Sequence, residues 1–145
     1  MQHQESDILE KPAPRTAPPP TLPRTREAAA ETVSREVLRA TRELGLNGAQ
    51  VAQAIGLSEA TVSRLRTGTA VISPTSKSWE LGLLLVRVRK ALGSVVGEDP
   101  ERIRNWMWSE NSAIGATPAR RIERVQGLVG LLAYLESRAS RSGSA

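Results

Sequence analysis

Between residues 57 and 66, short polar groups and guanidiniums interleave with an apolar stripe. Glu59, Ala60, Thr61, Ser63, Arg64 and Arg66 alternate with Leu57, Val62 and Leu65. On a helix this spacing buries the three apolar residues and leaves the others outside. Hydroxyls and guanidiniums of that length reach base edges and phosphates, so the chemistry on offer is hydrogen bonding to nucleic acid. Covalent chemistry has little to work with. The chain has no cysteine and one histidine, His3, which leaves no thiolate metal site and no Ser-His or Cys-His pair. The expectation is a protein that is not an enzyme and takes no cofactor, no metal and no small-molecule ligand. The net charge of +5, mostly from arginine, suits an anionic partner. Many soluble proteins carry a similar excess, so charge alone does not decide.

The elements that would position these residues are helical. Val33, Val37, Ala40 and Leu44 recur at helical spacing, and Gly45 offers a stop. Asn47 can cap a helix over 49–55 and Ser58 another over 59–66, with Gly56 between them and Gly68 after. Ser73-Pro74 reads as a cap and first position of a strongly apolar helix containing Trp79, Leu81, Leu83, Leu84, Leu85, Val88 and Leu92, closed by Gly93 and Gly97. Asp99-Pro100 and Thr117-Pro118 repeat the cap-plus-proline signal and predict helices over 100–108 and 118–125. Gly127 then precedes a last helix over 128–138. No alternating strand pattern is present.

The fold class is therefore all-α: an N-terminal helix-turn-helix bundle packed on a small C-terminal helical domain, behind a disordered Pro-rich N-terminal arm. The expected boundaries are 1–26 for the arm, 27–72 for the helix-turn-helix, 73–97 for a connecting core helix, 98–138 for a C-terminal domain and 139–145 for a flexible tail. The arm holds Pro12, Pro14, Pro18, Pro19, Pro20 and Pro23, and proline at that density favours extended, unpacked chain. No apolar run reaches the ~18 residues of a membrane span. Residues 1–7 lack a basic start and an apolar stretch, so a cytoplasmic protein without a membrane partner is expected.

The run from Gln50 to Leu65 resembles the helix-turn-helix of the Xre and lambda-repressor-like family. The resemblance implies that Gln50 touches phosphate from the start of the scaffold helix, while Ser58, Glu59, Thr61, Ser63 and Arg64 face the major groove. One departure is Glu59, where relatives often carry glutamine. A carboxylate can accept from cytosine N4 but is repelled by phosphate.

A second motif lies downstream: Trp106, then Asn111, Gly115, Thr117 and Pro118, then Gly127 before Val129, Leu132 and Leu135. It resembles the toxin-binding domain of Xre/MbcA/ParS-type antitoxins, and with the upstream motif the resemblance spans roughly 28–138. Residues two apart on a helix do not share a face, so Trp106 and Trp108 cannot both enter one small core. Trp108 is the candidate for an exposed anchor. The resemblance implies an antitoxin of a type II toxin–antitoxin system that silences a RES-domain, NAD-degrading toxin and represses its own operon. Candidate toxin-binding residues are Trp108, Arg120, Arg121, Arg124, Arg138 and Arg141. The partners implied are that toxin and operator DNA, as a homodimer or a hetero-oligomer with the toxin. A plain repressor whose C-terminal helices only dimerise remains the alternative. A cut before Pro100 is expected to leave the helix-turn-helix folded.

Overall fold

The computed structural model of the chain describes residues 8–10 and 22–143. Among them are seven helices and two short strands: β1 (Ile8–Glu10), α1 (Leu22–Glu43), α2 (Gly48–Ile55), α3 (Glu59–Thr67), β2 (Ala70–Ile72), α4 (Lys77–Val96), α5 (Pro100–Trp108), α6 (Pro118–Arg121) and α7 (Val125–Gly143). The helical architecture is the expected one, with differences at the ends of several elements.

The arm is the first difference. β1 pairs antiparallel with β2, Ile8 opposite Ile72 and Glu10 opposite Ala70. Ile8 is buried in the common core. Three residues are too few to show the alternation that marks a strand, so only the partner strand reveals the pairing. α1 also begins at Leu22, inside the span assigned to the arm. The expected disorder of residues 1–7 and 11–21, and the end of the tail at 144–145, lie outside the described residues.

The second difference is at Ser73-Pro74. α4 is capped by Ser76, whose Oγ accepts from Trp79 N at 3.1 Å and donates to Ser73 O at 2.7 Å. Pro74 instead occupies a turn closed by Ser76 N to Ser73 O, a position its fixed φ suits. Two serines three apart compete for one cap, and the later one takes it.

α4 is the central element and packs on α1, α2, α5 and α7. Gly93 lies buried within it and only Gly97 follows its end. Gly82 lets α4 approach α1 closely: a Cβ there would press on the Val37 side chain. α7 covers the other side of α4, with Leu128, Leu131, Leu132 and Leu135 all buried. Fully burying each such side chain contributes roughly 1.5–3 kcal/mol. Arg87 adds a bidentate pair to Glu136 of α7, at 3.1 and 2.7 Å.

α6 is a four-residue turn of helix, and α7 starts at Val125 rather than after Gly127. Gly127 does not stop a helix. It sits in the first turn of α7, where a Cβ would overlap the carbonyl of Arg121. α7 also runs on through the predicted tail to Gly143, because Ser and Arg carry no helix-breaking signal. The buried side chains of β1, α1–α4 and α5–α7 form one continuous cluster. A cut before Pro100 would strip α7 from α4 and uncover that cluster, so independent folding of the helix-turn-helix does not follow.

Candidate nucleic-acid interface

The helix-turn-helix is built from local hydrogen bonds that its own residues supply. Asn47 Oδ1 accepts from Gln50 N at 2.9 Å, and Gln50 Oε1 accepts from Asn47 N at 2.7 Å. This reciprocal box satisfies two of the free N–H groups at the start of α2. Gly56 ends the helix at φ +74, in the left-handed region that a side chain resists. Ser58 caps α3, accepting from Thr61 N at 3.1 Å. Ala54, Leu57, Val62 and Leu65 are buried where the helices cross.

The exposed face of α3 holds Glu59, Ala60, Ser63, Arg64 and Arg66. Thr61 is not part of it. It is 1 % exposed, and its hydroxyl accepts from Ser58 Oγ at 2.9 Å. Thr61 lies four residues before Leu65 and so shares the buried stripe. Ser58 is likewise engaged: both hydrogen bonds tie it to Thr61, and its work is capping. Gln50 keeps its amide NH2 available, since only its oxygen serves the cap. Arg66 folds back over the start of α2, where a Cβ on Gly48 would come 3.3 Å from its guanidinium. Guanidinium and helix N-terminus thus lie together, and both favour an anion.

The downstream motif is structural in most of its members. Asn111 organises a turn: its Oδ1 accepts from Ala113 N and its carbonyl from Ile114 N and Gly115 N. Gly115 sits at φ +69. Thr117 stands at the N-cap of α6 with Pro118 following, but its side chain makes no capping hydrogen bond; its carbonyl accepts from Arg120 N and Arg121 N instead. Trp106 is half-buried against the core. Trp108 is 39 % exposed, as expected of an anchor, yet its indole N–H donates to Gly45 O.

The arginines assigned to a toxin are all exposed. Arg138 donates to Tyr134 Oη and lies over its ring. Arg141 ends α7. Arg120, Arg121 and Arg124 gather elsewhere, around a cleft that also includes Gln53 of α2. Sequence reasoning could not place Gln53 beside them, because no local spacing links α2 to α6. Among the described residues no group of His, Cys, Asp or Glu could hold a metal ion, and no helix is long and apolar enough to cross a membrane.

Two short helices crossing over a glycine turn, with a capped second helix presenting polar side chains, define a helix-turn-helix DNA-binding protein. Residues 23–87 match the family described as the antitoxin Xre-like helix-turn-helix domain. The match runs from α1 through the first half of α4. No curated protein matches the chain.

Proposed function

We propose that this chain is the antitoxin of a type II toxin–antitoxin system, reading its operator with α3 and neutralising a RES-type, NAD-degrading toxin with its C-terminal helices. The antitoxin-type helix-turn-helix at 23–87 carries the reading. On the DNA side, Glu59, Ser63 and Arg64 would face base edges, and Gln50 and Arg66 phosphates. One such unit reads a half-site, so a two-fold assembly completes the operator complex.

The toxin side rests on the resemblance of the segment from Trp106 to Leu135 and on surface the core does not use. Val125 is 57 % and Val129 49 % exposed, one turn apart on α7. They are exposed apolar side chains of the kind a partner covers, and Trp108, Arg138 and Arg141, elsewhere on the surface, are the other side chains proposed for the toxin. A tagged pull-down from the native host tests this. A stoichiometric partner that is toxic alone and silenced on co-expression supports it. A homo-oligomer that binds its own promoter with no partner replaces it with a plain repressor whose C-terminal helices only dimerise.

A further inference from the structure

We infer that Arg120, Arg121 and Arg124 form a phosphate clamp that extends the DNA-binding surface from the helix-turn-helix onto the C-terminal helices. The inference rests on the DNA-binding reading above. The three arginines line a cleft of about 370 Å³ with Gln53, Glu123 and Gln126. Gln53 also lines the adjoining hollow of about 350 Å³ between α2 and the start of α3, next to Ser58 and Glu59. The cleft and the recognition helix therefore share a wall. A duplex seated on α3 carries its sugar-phosphate backbone past α2, toward the cleft.

The chemistry of the cleft selects an anion. Its charged lining is three guanidiniums against one carboxylate, Glu123. None of the three arginines is in an ion pair with a described residue, and only Arg121 is engaged, donating to Ile114 O. A guanidinium matches phosphate oxygens two at a time. The lining includes no aromatic and no large aliphatic side chain. A protein interface also favours arginine, but it centres on aromatic and large apolar anchors, which this cleft lacks. Duplex DNA thus fits this cleft better than a toxin surface does, and the toxin is left to the α7 face.

The test is binding of the full chain to a fluorescein-labelled random-sequence duplex and to its own promoter, by anisotropy across a salt series. Arg120→Ala with Arg124→Ala should weaken both duplexes equally, about tenfold, and lower the salt slope by roughly 0.9 for each arginine removed. Arg121 is left intact because it also holds the Ile114 turn. Glu123→Gln should tighten both, a gain that misfolding cannot produce. If these variants bind as wild type while Arg64→Ala still weakens the promoter complex, the clamp is wrong and the DNA-binding reading stands. If they lose toxin neutralisation with DNA binding unchanged, the cleft belongs to the toxin. A wild-type chain that binds neither duplex overturns both.

Discussion

The indole N–H of Trp108 donates to the carbonyl of Gly45 at 3.2 Å, joining the end of α5 to the turn between α1 and α2, 63 residues earlier. Gly45 is held at φ +83, with Arg104 and Trp108 against the space a Cβ would fill. Trp108 thus does two jobs: one edge ties the C-terminal helices to the helix-turn-helix, and the rest faces solvent. Gly45→Ala should destabilise by more than about 1 kcal/mol, through left-handed strain and the displaced neighbours. Trp108→Phe, which removes the donor and keeps an aromatic ring, should cost about 0.5–1.5 kcal/mol. Urea unfolding checks both; a Phe variant as stable as wild type would remove the tie.

Arg64 and Thr61 separate reading from folding. Arg64→Ala should weaken promoter binding by about 1–3 kcal/mol with little change in melting temperature, if Arg64 contacts a base. Thr61→Ala should do the reverse at first order, lowering stability by about 1 kcal/mol through the loss of the hydroxyl that Ser58 donates to. Paired anisotropy and thermal melts decide. Equal promoter affinity for wild type and Arg64→Ala would rule out base contact there.

Two glycines of α7 should respond to alanine with opposite signs. A Cβ on Gly127 would overlap the Arg121 carbonyl, and backbone cannot move aside cheaply. Gly127→Ala should therefore cost about 1–3 kcal/mol. Gly130 has open space around it, so Gly130→Ala should stabilise by roughly 0.5–1 kcal/mol through helix propensity alone. Stabilisation by both would mean that α7 does not press on α6.

Acid should loosen the junction of α1 and α4. Burial raises the pKa of Glu43, but hydrogen bonds and charge from Arg39 and Arg89 outweigh it and hold the carboxyl below its usual range. Arg89 lies 2.8 Å from Glu43 and also holds Glu98. A carboxyl with a lowered folded pKa stabilises the fold above its unfolded pKa of about 4.3 and loses that contribution as pH falls through the folded value. Wild type should thus lose more stability than Glu43→Gln between pH 5 and the acid limit of about 2. Parallel pH profiles for the two would show that the network contributes nothing.

Much of this fold was legible because its signals are local. Asn47, Gly56, Ser58 and Gly68 each act within four residues of their position, so the helix-turn-helix could be read with its caps. Thr61 is legible too, since its spacing to Leu65 places it inside even though its hydroxyl could serve a base edge. What depends on distant chain was not legible. The β1–β2 pairing and the meeting of Gln53 with Arg120 each need a partner that no neighbouring residue announces. Gly127 illustrates the physical ambiguity, because glycine both ends helices and permits close packing, and composition alone does not separate the two.

The docking of β1 on β2 makes the stretch between Glu10 and Leu22 a covalent leash. While intact, it makes the seating of Ile8 an event within one chain rather than between two. One proteolytic nick within that stretch would turn a built-in strand into a free ligand with three paired residues. Such a short peptide would dissociate on dilution, and mass spectrometry of nicked, gel-filtered protein should find it gone. A single cut there would then leave the core one isoleucine short, lowering the lifetime of the whole chain.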